Sequence, residues 1–293
     1  MSCMFAEENV ASGFDQVSSF AFNRMGTVLY WLKQLDKSLY CCNKSVELNP
    51  YNARYWYTKG VVLTVLERYD EALDCYNSSL ELKTRSGKKL IILILSKGFA
   101  LLKLEHFDEA LDCFNEALKL KPKKKLMLPI LHNKGHALIK LEHFDEALEC
   151  INKALKLNNR YSLTWSNKSL ALCNLGRFDE ALDCINKAIK TGGFEASKSE
   201  ISKALKLNNY QHDIIWNNKA LILYKLERYD EALEYINKSL DLGKHKKMWV
   251  NKAKILMKIG EKEEALKCID RALKLDPDFE KAVKVKKELL KDQ

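Results

Sequence analysis

A ten-residue sequence that recurs along this chain constrains its fold more than any other feature. The consensus is Leu-Glu-(Arg/His)-(Tyr/Phe)-Asp-Glu-Ala-Leu-(Asp/Glu)-Cys, found at Leu66–Cys75, Leu104–Cys113 and Leu141–Cys150. Looser copies occupy Leu175–Cys184 and Leu226–Tyr235, and the underlying period is close to 34 residues. A period of this length is typical of solenoids, in which each unit buries its apolar face against its neighbours. We therefore predict stacked units that present an extended binding surface.

Each unit has the pattern of two amphipathic helices, because apolar residues recur at three- and four-residue spacing. A large apolar residue opens each unit, at Phe22, Trp56, Ile94, Leu131, Trp165, Trp216 and Trp249. Small residues follow at two fixed places, where paired helices cross closely: Gly26, Gly60, Gly98, Gly135, Ser169, Ala220 and Ala253, then Ser38, Ala72, Ala110, Ala147, Ala181, Ala232 and Ala265. The acidic pair Asp108 and Glu109 marks the start of a second helix, and Pro122 follows its end.

This pattern resembles the tetratricopeptide repeat (TPR) family. The resemblance covers about seven units, at 19–52, 53–86, 91–124, 128–161, 162–195, 213–245 and 246–279. It implies an all-α fold, a right-handed α-α superhelix of helix-turn-helix repeats. Residues 1–18 show no repeat and are expected to be an irregular segment or a cap, and residues 280–293 a capping helix.

The repeat spacing is interrupted once by a long excess. Equivalent small residues lie 51 positions apart between Ser169 and Ala220, instead of 34. Residues 201–209 nearly copy residues 151–159, the end of a second helix. We therefore predict an extra helix and a joint at 194–212. The joint would separate a block of five repeats, 19–193, from a block of two repeats, 213–279.

The composition indicates a helical protein of the cell interior. Six of the nine cysteines, for example Cys75 and Cys113, occupy the same place in their units. Such sites are too far apart for disulfides, so we interpret them as small packing residues in a reducing compartment. Residues 1–9 lack the layout of a secretion signal, and Leu90–Leu95 is too short to span a bilayer. We expect a cytoplasmic location without membrane insertion.

The resemblance implies that the first helices line a concave groove and that it binds a peptide. One groove position carries four asparagines, whose amides both donate to and accept from a peptide backbone. The alternative interpretation is that asparagine is simply common at this repeat position, because a shared ancestral repeat would produce the same column. The expected groove residues are Asn133, Asn167, Asn218 and Asn251, the apolar Tyr57, Leu95 and Phe99, and the basic Lys225, Lys254 and Lys258. The apolar residues favour an amphipathic segment as the ligand, although some of them would serve equally as core. The lysines favour an acidic partner, or are simply solvated surface.

Other functions are less consistent with the sequence. No unit carries the lysine–asparagine pair of the chaperone carboxylate clamp known in this family. His132 and His136 share a helical face, but the intervening residues are Asn-Lys-Gly, without the acid of a zinc-protease motif, so we expect no metal. No phosphate loop or nucleophile elbow occurs, and we predict a non-enzymatic adaptor without a cofactor. The net charge of +10 keeps nucleic-acid binding through basic inter-repeat loops and the lysine-rich C-terminal helix as the alternative.

Overall fold

The structure, a computed structural model, describes residues 2–82, 87–192, 209–243 and 245–291, and within these ranges every regular element is an α-helix. The helices are α1 (Ser2–Trp31), α2 (Leu35–Leu48), α3 (Ala53–Val65), α4 (Tyr69–Glu81), α5 (Lys88–Lys103), α6 (Phe107–Lys119), α7 (Lys124–Lys140), α8 (Phe144–Leu157), α9 (Ser162–Asn174), α10 (Phe178–Gly192), α11 (Asn209–Lys225), α12 (Tyr229–Leu242), α13 (Lys246–Lys258), α14 (Lys262–Leu275) and α15 (Glu280–Lys291).

The contacts divide the chain into two compact units. Unit 1 is Met1–Leu141 and contains α1 to α7, and unit 2 is Glu142–Gln293 and contains α8 to α15. Within each unit, the first helices of consecutive repeats contact each other, as α1 does α3 and α11 does α13. The described second helices make no comparable contacts with one another. We call the side of the first helices the inner face and the side of the second helices the outer face.

A left-handed residue ends the first helix of each repeat. In the second repeat this residue is Glu67, with φ of 59°, and the next amide, of Arg68, donates to the Leu63 carbonyl at 3.0 Å. This bond closes the helix end and turns the chain toward the second helix. The equivalent left-handed residues are Lys33, Glu67, Glu105, Glu142, Gly176, Glu227 and Gly260. Five of these seven are charged residues rather than glycine, so the turn adopts a conformation that L-residues disfavour.

Small residues let the two helices of a repeat pack closely, as the sequence predicts. The alanines early in the second helices, such as Ala72 and Ala110, are fully buried. The glycine of the first helix faces an aromatic ring: a Cβ on Gly98 would lie 2.8 Å from Phe114 Cε1. The repeated cysteines are buried and free, and burial raises the pKa of Cys113 to about 11. These thiols pack as small apolar groups.

The predicted N-terminal segment, capping helix and joint can each be compared with the described residues. Residues 2–18 are helical and continuous with the rest of α1. The C-terminal α15 packs on α13 and α14 and buries Val285 and Leu289, as a capping helix does. Most of the predicted extra helix and joint, residues 193–208, lies outside the described residues. On either side of that segment α11 packs directly against α9 and α10, so the stacking of unit 2 continues past it.

Candidate functional site

The inner face of unit 1 contains a cleft of about 520 Å³ between α1, α3 and α5. Its wall is aromatic and aliphatic, with Tyr30 and Trp31 from α1, Tyr57 and Val61 from α3 and Ile92 from α5. The Trp31 side chain is 76% exposed, which is unusual for a tryptophan at the edge of a concave surface. The cleft therefore presents apolar surface to solvent.

The charge at the edge of this cleft has one sign. Arg54, on the first turn of α3, and Lys89, at the start of α5, both line it. None of the described residues that line the cleft is acidic. Two cations without an ion-pair partner among the described residues therefore lie beside the apolar wall.

The apolar residues expected in the groove separate into two groups. Tyr57 lines the cleft, and its ring lies 6.1 Å from that of Tyr76 in the core. Leu95 is half-buried against the core beneath α5 and α6, and Phe99 lies under the ammonium group of Lys103, 5.5 Å from the ring centroid. Neither Leu95 nor Phe99 lines the cleft. Their place in the groove therefore stays a prediction.

The sequence analysis did not predict Arg54 and Lys89 as site residues. The signal that could have found them is position, because Arg54 lies on the same helical face as Tyr57 and Val61, three and seven residues later. Lys89 lies on the same face as Ile92, three residues later.

In the second and third repeats the residues at the asparagine position form hydrogen bonds within their own helices. The Thr58 hydroxyl donates to the Arg54 carbonyl at 2.9 Å, and the Ser96 hydroxyl donates to the Ile92 carbonyl at 2.9 Å. Asn133, on α7, is half-buried, and its amide has no hydrogen-bond partner among the described residues. Asn133 is therefore the member of this column in unit 1 whose amide is open to a ligand.

In unit 2 the asparagines form a chain of side-chain hydrogen bonds. The amide nitrogen of Asn251 donates to Asn217 Oδ1 at 2.8 Å, and that of Asn217 lies 3.4 Å from Asn218 Oδ1. The amide nitrogen of Asn218 in turn donates to the Ser166 hydroxyl at 3.1 Å. The chain links α13, α11 and α9, and Asn218 is only 9% exposed. These amides connect successive first helices.

Asn167 differs from its neighbours in unit 2. Its amide nitrogen is shielded from solvent and has no hydrogen-bond partner among the described residues. An unsatisfied buried donor costs free energy. The predicted groove role of Asn167 stays a prediction.

The three predicted lysines of unit 2 are exposed and unpaired. Lys225, Lys254 and Lys258 make no ion pair within the described residues. By contrast, two lysines on the second helices form ion pairs, Lys238 with Glu234 at 2.5 Å and Lys267 with Glu264 at 2.6 Å. The three predicted lysines therefore leave unpaired positive charge on the first helices of unit 2.

Burial lowers the pKa of both histidines of α7. His132 is 8% exposed, and burial lowers its pKa to about 4. Burial also lowers the pKa of His136 to about 3, with Lys140 and His132 as smaller causes. Both imidazoles are therefore neutral at physiological pH, because protonation would place a charge in an apolar environment.

The basic run considered for nucleic-acid binding, Lys123–Lys125, lies at the start of α7. Lys123, Lys124 and Lys125 are all exposed, and α7 begins within this run. Among the described helices, none combines the length and the apolar character needed to cross a lipid bilayer.

Comparison with known proteins identifies the family. Sequence models of the tetratricopeptide repeat match residues 51–123, 129–161, 164–191, 214–244 and 247–284. The chain therefore belongs to the tetratricopeptide repeat family, whose fold is a scaffold for protein interactions in general. No curated protein matches this chain.

Solved structures agree on the fold. A tetratricopeptide repeat protein from Parabacteroides merdae ATCC 43184 is 17% identical with a TM-score of 0.71, covering 93% of this chain and 99% of that chain. A chain of the APC/C hetero-tetramer Cut9-Hcn1 is 18% identical with a TM-score of 0.70, covering 90% of this chain and 48% of that chain. A thermophilic TPR protein from Thermus thermophilus is 20% identical with a TM-score of 0.57, covering 68% of this chain and 98% of that chain. The predicted family and the all-α TPR superhelix are confirmed.

Proposed function

We propose that this protein is a non-enzymatic adaptor that binds an amphipathic helical segment with acidic residues in the cleft of unit 1. The observation that carries the proposal is the apolar cleft of about 520 Å³ with Arg54 and Lys89 at its edge. A volume of this size lies in the range of binding pockets, so it takes apolar anchor side chains rather than an entire helix. The body of the segment would then lie across the inner face.

The chemistry of the cleft suits such anchors. Tyr30, Trp31 and Tyr57 supply large aromatic surfaces, the residue types that dominate binding energy at protein interfaces. An amphipathic helix presents apolar residues at three- and four-residue spacing, and these enter a groove while its polar flanks remain at the edge. Acidic flanks would meet Arg54 and Lys89, where unlike charges accelerate association.

Residues beyond the cleft extend the proposed surface separately in each unit. Asn133 in unit 1 has an amide without a partner among the described residues, so we assign it a contact to the backbone of a bound segment. Asn167 in unit 2 is given no such contact, because its amide nitrogen is shielded from solvent. Asn218 and Asn251 bond to side chains of the protein itself, so their first role is to order the first helices. Lys225, Lys254 and Lys258 would favour a second acidic stretch on unit 2, while the direct anchors remain those of the cleft.

The test is the affinity of a labelled amphipathic peptide for the full-length protein. The probe is a helix of about four turns with leucines along one face and glutamates beside them. Its binding is measured by fluorescence anisotropy for the wild type and for Val61→Glu, which places a carboxylate in the apolar wall. Val65→Glu is the matched control, because Val65 lies on the same helix, is 46% exposed and does not line the cleft.

We expect Val61→Glu to weaken peptide binding by about tenfold or more, since an anchor pocket is lost, and Val65→Glu to leave it unchanged. Equal affinity of the wild type and Val61→Glu would refute the proposal. A mixed-sequence RNA that binds with steep salt dependence, ignores Val61→Glu and is lost on neutralising Lys123–Lys125 would replace it with the nucleic-acid alternative.

A further inference from the structure

A second cleft lies on the outer face of unit 2. It measures about 680 Å³ and lies between the C-terminal ends of α12 and α14, with α13 at its floor. Leu240 and Leu275 give the cleft an apolar surface, and the indole of Trp249, on α13, also lines it. It belongs to the second helices, so it is separate from the inner face.

In the last repeat the tryptophan of the first helix lacks the aromatic cover that the preceding repeat provides. In the preceding repeat the ring of Tyr235 stacks on Trp216, with centroids 5.3 Å apart and an interplanar angle of 14°. In the last repeat the residue equivalent to Tyr235 is Cys268, which is 4% exposed and too short to cover Trp249. Trp249 is contacted instead by the Arg271 guanidinium, 4.8 Å from its ring centroid. One side of the indole therefore borders open space.

The indole N–H of Trp249 is also without a partner among the described residues. In two other repeats the equivalent indole donates to the carbonyl six residues earlier, from Trp56 to Pro50 and from Trp165 to Asn159, both at 2.7 Å. The Trp249 nitrogen makes no such bond within the described ranges. A tryptophan in a partly apolar site normally finds an acceptor, so this donor is available to a ligand.

The charges around the cleft select the ligand. Lys252, Arg271 and Lys274 line it, against one carboxylate, Asp241. The nearby carboxylates are already neutralised, because Glu264 pairs with Lys267 at 2.6 Å and Asp270 with Lys286 at 2.8 Å.

The surplus positive charge beside apolar Leu240 and Leu275 fits an extended peptide that alternates acidic and aliphatic residues. A nucleic-acid backbone fits less well, because Asp241 would repel phosphate.

We propose that this outer cleft is a second binding site, for an acidic peptide that contains aliphatic side chains. An aliphatic side chain packs between Leu240, Leu275 and Trp249, and a backbone carbonyl accepts the Trp249 indole N–H. Carboxylates of the peptide bind Arg271 and Lys274. The site would let the adaptor hold a second segment while the cleft of unit 1 is occupied.

The experiment follows the indole N–H signals of the full-length protein by NMR during titration with a peptide of alternating aspartate and leucine. The Trp249 signal is assigned with Trp249→Phe. We expect this signal to move and saturate, and a peptide of alternating aspartate and serine to move it far less. Cys268→Tyr should abolish the shift by stacking on Trp249 as Tyr235 does on Trp216. Cys184→Tyr, the same change in another repeat, should preserve the shift.

Lys274→Glu gives a second variant at an exposed position, and we expect it to weaken peptide binding about tenfold because a charge-assisted bond becomes a repulsion. Val61→Glu should leave the Trp249 shift intact, which separates this site from the cleft of unit 1. The proposal is overturned if the Trp249 signal does not respond to the peptide, if Lys274→Glu binds as the wild type does, or if RNA alone moves the signal.

Discussion

The contact between Gly98 and Phe114 gives the most quantitative prediction. In Gly98→Ala the new Cβ would lie 2.8 Å from Phe114 Cε1 and 3.0 Å from Cys113 Cβ. Overpacking of this kind costs about 1–3 kcal/mol. Alanine in a helix interior is better than glycine by about 1 kcal/mol, which offsets part of the cost. We expect a net loss of about 1 kcal/mol in the free energy of unfolding.

The second change, Phe114→Ile, should reverse the effect of the first. Alone it removes buried surface and leaves a void, at a cost of about 1–2 kcal/mol. Together the two changes recreate the pairing of Ala220 with Ile236, which the sixth repeat uses naturally. The double variant should therefore be more stable than the sum of the two single effects predicts, by about 1.5 kcal/mol.

The assay is urea unfolding of the full-length wild type, both single variants and the double variant, followed by circular dichroism. Because repeat arrays can unfold in parts, hydrogen exchange of α5 and α6 provides the local measure. If the two single effects add within about 0.5 kcal/mol, the residues do not share a packing constraint and the reasoning is refuted.

Two further predictions concern the turns and the buried histidines. Glu105→Gly should stabilise the protein by about 0.5–1 kcal/mol, because Glu105 has φ of 64° and glycine adopts this conformation without strain. Gly176→Ala should destabilise the protein by a similar amount. A decrease in the urea midpoint for Glu105→Gly would contradict this. His132 has its folded pKa lowered to about 4, so unfolding takes up protons below pH 6.5, and stability present at pH 7 should fall by about 2 kcal/mol at pH 5. In a His132→Gln, His136→Gln variant this loss between pH 7 and pH 5 should shrink, and an unchanged pH dependence of the urea midpoint would contradict the assignment.

The fold could be predicted from the sequence because the same residue types recur at equivalent positions in every repeat. Small residues such as Ala110 recur where helices cross, and the structure buries them fully. The turn could not be predicted in the same way. Glu67 and Glu105 adopt left-handed backbone although glutamate disfavours it, because closing the helix end and packing the second helix outweigh the local cost.

The candidate site was less predictable, because side-chain partners depend on three-dimensional neighbours. Tyr57 could be placed on the inner face from its spacing, but the cationic edge formed with Lys89 joins residues of two repeats. The asparagine column was visible in the sequence, whereas the bond from Asn218 to Ser166 was not. The outer cleft was not visible in the sequence either, because Leu240, Trp249 and Leu275 come from three different helices.

The proposed selectivity of the inner face of unit 1 for amphipathic segments with acidic flanks can be measured directly. Random helical peptides displayed on phage are selected against the full-length protein, with Val61→Glu selected in parallel. We expect that peptides enriched by the wild type carry apolar residues at three- and four-residue spacing beside acidic ones, and that Val61→Glu fails to enrich them. Enrichment of the same peptides by Val61→Glu, or of peptides without this pattern by the wild type, would contradict it.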